Sequence, residues 1–120
     1  MPQHIHVTHR IVRNVAIIVL EREFILDTDG DVLRQRVSSL LRDGLKLFVI
    51  NLAKVSHLDA SGIGAIVGSR SEIARHGGRF AMCCASDRVM AIFRLIQIGG
   101  WHSFATEEEA IAEVEREWSA

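Results

Sequence analysis

Between His57 and Val67 the chain reads HLDASGIGAIV, and Asp59, Ser61, Gly62 and Gly64 crowd into six consecutive positions. A carboxylate, a hydroxyl and two residues without side chains could serve several chemistries. A hydroxyl at the mouth of a helix can carry a phosphate, because the first N–H groups of a helix have no internal partner and sit at the positive end of its dipole. Gly62 and Gly64 would let another protein's backbone, or a nucleotide, come close. The same residues also fit a quieter role, with Asp59 or Ser61 as the N-cap and the glycines serving tight packing. Catalytic patterns fit less well. The phosphate loop G-x-x-x-x-G-K-[ST] is absent. Ser61 is preceded two residues earlier by Asp59 rather than glycine, so there is no G-x-S-x-G elbow. G-x-G-x-x-G fails at Val67, with Gly68 one residue too late. His57 is close in sequence, but nothing completes a serine triad with it.

Other chemistry-bearing residues are sparse. His4, His6 and His9 cluster near the start, with no carboxylate or cysteine beside them to complete a metal site. Cys83 and Cys84 are adjacent. On a strand they would point to opposite faces, so a disulfide between them is not expected, and they read as small buried hydrophobes. Trp101 and Trp118 read as core or edge packing. EEEAIAEVERE reads as the solvated face of a last helix, acidic enough to help dock a partner.

The elements that must position Ser61 follow from the apolar pattern. VAIIVL, Val15–Leu20, is a strand, and IHVTHRIV before it a partner strand with Ile5, Val7 and Ile11 on one face. DTDGD, Asp27–Asp31, reads as a turn with N-cap candidates, followed by a helix through Leu33, Val37, Leu40 and Leu41 that ends near Gly44. LKLFVINL, Leu45–Leu52, is apolar almost throughout, as in a central strand buried on both faces. A helix from Gly62 to His76 carries Ile63, Ile66, Val67 and Ile73 on one face and stops at Gly77–Gly78. RFAMCCA is then a strand parallel to LKLFVINL, since the two are joined by a helix. A helix from Ser86 presents Val89, Ile92, Phe93 and Ile96 and stops at Gly99–Gly100. A short strand near His102–Ala105 follows. A last helix opens with Thr106 and Glu109 at capping-box spacing and lines Ile111, Val114 and Trp118 on one face. The sum is one α/β domain over residues 1–120: a mixed sheet of four or five strands with about four helices, mainly on one side.

Bulk composition narrows the function. A length of 120 residues suits one domain, and 48% hydrophobic with 24% charged residues is the balance of a globular chain. A net charge of −1 gives no basic excess to follow a phosphate backbone, so no nucleic-acid partner is expected. No apolar run reaches the ~20 residues that span a bilayer, and MPQHIHVTHR lacks a signal-peptide core, so neither a membrane partner nor export is expected and the location expected is cytoplasmic.

The stretch from Leu45 to Gly100, LKLFVINLAKVSHLDASGIGAIVGSRSEIARHGGRFAMCCASDRVMAIFRLIQIGG, resembles the STAS domain, the fold of bacterial anti-sigma factor antagonists. The likeness runs over about 12–114. It rests on a buried strand, a D-[SA]-[ST]-G-[LIV]-G loop, a helix, a GG turn and a second strand. It implies a non-enzymatic switch protein without a cofactor. Ser61 would be the residue phosphorylated by an anti-sigma factor serine/threonine kinase, and a PP2C-type phosphatase would remove the phosphate. Unphosphorylated, the chain would bind the kinase and free a sigma factor. Asp59, Ala60, Ser61, Gly62, Ile63 and Gly64 would form the partner-binding loop. A non-switching STAS subunit of a stress-signalling complex or lipid ABC transporter is the other role the resemblance allows. Two positions depart from the family pattern: Asn51 replaces the acidic residue that usually ends the central strand, and Arg22 lies where a glycine-containing GEL or GRL sequence usually follows the second strand.

Overall fold

β-branched side chains lose little rotamer freedom on a pleated surface, and the runs rich in them form the strands. In the computed structural model, which describes residues 6–22, 24–25, 27–95 and 102–116, the order is β1 (Val7–Val12), β2 (Val15–Leu20), β3 (Phe24–Ile25), α1 (Asp27–Arg42), β4 (Leu47–Asn51), β5 (His57–Leu58), α2 (Ala60–Arg75), β6 (Arg79–Cys83), α3 (Asp87–Leu95), β7 (Ser103–Phe104) and α4 (Glu107–Arg116). Five strands form one sheet in the order β1-β2-β4-β6-β7. β1 runs antiparallel to β2, and every other pairing in this sheet is parallel. β4 is therefore central, and Leu47–Ile50 are all buried, as an apolar run without alternation requires.

The sheet separates two cores. Ala16, Ile18, Phe48, Ile50 and Met82 face α1, α2 and α3, with Leu33, Val37, Ile66, Ile73 and Phe93 packed over them. Val15, Ile17, Leu47, Val49 and Cys83 face α4, which contributes Ala110, Ile111 and Val114. Phe48 is fully buried in the first core, and cutting such a ring to alanine typically costs about 3–5 kcal/mol. The expected arrangement of helices mainly on one face is thus what forms, with α4 alone on the other.

Local chemistry explains the joints. The β1–β2 hairpin turns through Arg13 (φ 50°) and Asn14 (φ 69°), both left-handed, which matches the strand twist in a two-residue turn. α1 ends where Gly44 (φ 96°) donates its N–H to the Leu41 carbonyl and Leu45 to the Leu40 carbonyl. At Gly78 a Cβ would stand against the Lys46 carbonyl oxygen and 2.9 Å from Ile73 Cγ2, so the entry to β6 needs glycine.

Three expectations change. DTDGD is not a turn: Asp27–Asp31 already lie in α1. Gly30 is there for a helix contact, since a Cβ on it would lie 3.0 Å from Ala65 Cβ and 3.5 Å from the Ser61 carbonyl oxygen. Ile11 does not share the burial of Val7 and is 52% exposed. Cys84 is not part of a continuous strand: β6 stops at Cys83, and Cys84 is left-handed (φ 65°) and only half-buried. His4, Ile5, Ile96, Gly99, Gly100, Trp101 and Trp118 lie outside the described residues.

Candidate functional site

α2 begins two residues earlier than its apolar face suggests, because Asp59 caps it. Asp59 is extended (φ −86°, ψ 179°), its Oδ1 accepts the Gly62 N–H at 2.7 Å, and its carbonyl accepts the Ile63 N–H at 3.0 Å. This answers which residue takes the cap. Ser61 occupies the second helical position, half-buried, with the capping task already done by its neighbour. Apart from the cap, the first turn of α2 contains no acidic side chain, so within the helix itself the positive end of the dipole is met only by the capping Asp59.

The loop residues do not share one environment. Asp59, Ala60 and Gly64 are exposed, Ser61 is half-buried, Gly62 is buried, and Ile63 is half-buried against the larger core. A Cβ at Gly64 would meet nothing within 4 Å. The accessible surface of this turn therefore consists of Asp59, Ala60, part of Ser61 and Gly64. Helical spacing produces the division, since positions four apart share a face.

The approach to the loop is held from two sides. β5 pairs in parallel with β3 as a separate two-stranded piece, Phe24 opposite His57 and Ile25 opposite Leu58. His57 Nε2 lies 3.3 Å from Arg88 Nη1 of α3, and its Nδ1 lies 3.3 Å from Ser56 Oγ. Gly30 brings α1 against the Ser61 backbone from the other side. Beside Gly30, Asp29 is almost fully buried and takes a 3.4 Å ion pair from Arg22 Nη1. Arg22 at the departing position therefore supplies charge compensation for a buried acid.

Asn51 has an equally specific setting. Its Nδ2 donates to Glu107 Oε2 at 2.7 Å, and its Oδ1 accepts the Ala53 N–H at 2.8 Å. Arg10 pairs with the other Glu107 oxygen. Burial acts to raise the Glu107 carboxyl, but the bonds from Arg10 and Asn51 and the Arg10 charge outweigh it and hold that carboxyl below the usual carboxylate range. An aspartate at 51 could not donate to Glu107. Sequence reasoning missed this network, the Asp29–Arg22 pair and the β3–β5 piece. Asn51 standing where an acid is usual was the available signal for the first.

No group of three or more His, Cys, Asp or Glu side chains suited to a metal ion occurs among the described residues, and no helix there is long and apolar enough to cross a membrane.

With this geometry in view, the likeness to known proteins has a definite meaning. The STAS domain model matches residues 6–110, and the chain belongs to the STAS domain family. An anti-sigma F factor antagonist of Lysinibacillus sphaericus is 31% identical over 83 residues, 68% of this chain and 71% of that one. Among solved structures, the anti-sigma factor antagonist SpoIIAA in its unphosphorylated form matches with a TM-score of 0.73 and 26% identity, over 91% of this chain and 97% of that one. The phosphorylated form of SpoIIAA, a Bacillus cell fate determinant, matches with a TM-score of 0.73 and 25% identity, over 90% and 98% of the two chains. The likeness thus runs to anti-sigma factor antagonists in both sequence and fold.

Proposed function

We propose that this chain is a cytoplasmic anti-sigma factor antagonist, switched by phosphorylation of Ser61. Its partners on this reading are an anti-sigma factor serine/threonine kinase and a PP2C-type phosphatase. The observation that carries it is the arrangement at the start of α2: Asp59, not Ser61, caps the helix, and Ser61 stands half-buried at the second helical position of a first turn that holds no acid of its own. A relative of 25–26% identity, SpoIIAA, is known in unphosphorylated and phosphorylated forms, and this supports the same reading.

The chemistry is simple. The Ser61 oxygen attacks the γ-phosphorus of ATP in the kinase's site, ADP leaves, and the hydroxyl proton passes to a base on the kinase. The phosphatase returns the hydroxyl by hydrolysing the O–P bond. The chain acts as substrate and ligand throughout. A phosphate brings about −1.5 to −2 charges next to Asp59. Against a closely packed partner that charge is desolvated and opposed. Losing ~3 kcal/mol weakens binding more than a hundredfold. In the free protein the helix N-terminus faces the phosphate and moderates its cost.

The test is incubation with the cognate kinase and ATP, followed by intact-mass measurement. One phosphate is expected on the unaltered chain and none on Ser61→Ala. Phosphate that persists on Ser61→Ala but is lost from Ser56→Ala or Ser69→Ala would move the acceptor elsewhere.

A further inference from the structure

The two cysteines do not behave as neighbours on a strand. Cys83 closes β6 and belongs to the core under α4. The left-handed backbone at Cys84 breaks the alternation, so its side chain packs against that same core instead of the opposite face. Both are free thiols. Cys83 is fully buried, while Cys84 is half-buried and its Sγ donates weakly to the Ala105 carbonyl at 3.6 Å. The corner is well anchored: the Cys83 carbonyl accepts the Leu52 N–H at 2.9 Å, and the Cys84 N–H donates to the Phe104 carbonyl at 2.8 Å.

We propose that Cys83 and Cys84 form a vicinal dithiol site for monosubstituted trivalent arsenicals. Two sulfurs on one face define that ligand class. Soft thiolates prefer soft centres. A four-coordinate zinc site needs more ligands than the pair supplies, and no third metal-type side chain joins them among the described residues. A disulfide would have to draw the sulfurs to about 2.05 Å across one peptide unit, whereas an arsenic bridge spans a wider gap through two As–S bonds. A monosubstituted arsenical has two exchangeable valences on oxygen, the number that the pair can replace.

The reaction is a condensation without oxidation. With phenylarsine oxide, two S–H bonds and the bonds from arsenic to its oxygen break, two As–S bonds form, and one water leaves. Arsenic stays trivalent. Cys84, nearer solvent, reacts first, and Cys83 closes the ring. Burial, then interaction with the Cys84 thiol, keeps the Cys83 thiol protonated well beyond the ordinary thiol range, so Cys83 enters as a thiol and releases its proton to the departing oxygen.

The probe is phenylarsine oxide added to the native full chain, read by intact mass. The expected product is a single adduct with the mass of the reagent less one water, stable to excess 2-mercaptoethanol and removed by 2,3-dimercaptopropanol. Cys84→Ala should keep its thermal transition and bind the reagent at least roughly a hundredfold more weakly, as loss of the second attachment implies. Three results would overturn the proposal: no adduct on native protein when unfolded protein forms one, an adduct displaced by the monothiol, or full binding retained in Cys84→Ala.

Discussion

The N-termini of α2 and α4 flank one sheet from opposite faces, yet they are finished in opposite ways. α4 begins with Thr106 as its cap: the Glu109 N–H donates to Thr106 Oγ1 at 3.2 Å, and Glu109 Oε1 reaches one residue past the expected capping box to accept the Ala105 N–H at 3.1 Å. Three acids, Glu107, Glu108 and Glu109, fill its first turn. Glu107 is further bound by Arg10 and Asn51. α2 has Asp59 and then Ala60, Ser61, Gly62 and Gly64, with no acid in the first turn. One helix end meets its positive pole with three acids of its own first turn; the other meets it with the capping Asp59 and places no acid in that turn. On the proposed reading, the α4 end stays as it is and the α2 end is the one that receives charge.

The contrast can be broken most sharply at Ser61. Ser61→Asp adds part of a phosphate's charge where a helix N-terminus tolerates it, so the melting temperature should hold or rise slightly. On the proposed reading, affinity for the partner kinase should fall tenfold or more, about 1.4 kcal/mol, because the charge would be buried at the interface without a counter-ion. Ser61→Ala should bind normally and never be released. Melting curves with binding titrations on both variants decide. Equal affinities for the two would mean the loop is no switch, and a static scaffold would be the better description.

The α4 end is probed through Asn51→Asp, which restores the usual acid at that position. Here it should cost about 1 kcal/mol at neutral pH, since a donor to Glu107 becomes a like charge. The double variant with Glu107→Gln should recover most of the loss. Additive losses in a denaturation cycle would show that the two side chains do not communicate. pH adds a signed check. The folded Glu107 carboxyl lies below its ordinary range, so its contribution is present above an unfolded pKa of about 4.3 and lost as pH falls through the folded value. Glu107→Gln should flatten that acid limb in stability measured against pH.

The smallest effect is expected at Gly64. A Cβ there meets open space, so Gly64→Ala should stabilise the free protein by roughly 0.5–1 kcal/mol. If the glycine is kept for a partner's close approach, the same change should weaken kinase binding. Stabilisation with unaltered binding would remove Gly64 from the docking surface.

How far the sequence carried this reading depended on range. Val15–Leu20 and Leu47–Asn51 were legible because burial on both faces leaves an unbroken apolar run. The capping residues of α4 were legible because a cap is local. Asp27–Asp31 misled because its Asp and Gly residues are turn formers, while Gly30 answers to Ala65 and Ser61 across a helix contact that no local pattern contains. Cys84 misled for a related reason: its left-handed backbone belongs to the junction of β6 with β7. Around Ser61 the residue types marked the start of a helix, but which neighbour held the cap was a matter of geometry.

The left-handed pair Arg13–Asn14 has a consequence for the order of assembly. It lets β1 and β2 meet across two residues, and such a short closure costs little chain entropy and is completed in microseconds. β4 and β6 can join only after the chain has travelled through α1 and α2, and long-range parallel pairing is slow. On these grounds the hairpin is the natural early template, with Val15–Leu20 offering the apolar edge on which β4 settles. The Ser61 turn, which depends on β4, α1 and α3 together, would take shape late. Pulsed hydrogen exchange during refolding would show it as protection of Val15–Leu20 amides before those of α2, and the reverse order would place the nucleus elsewhere.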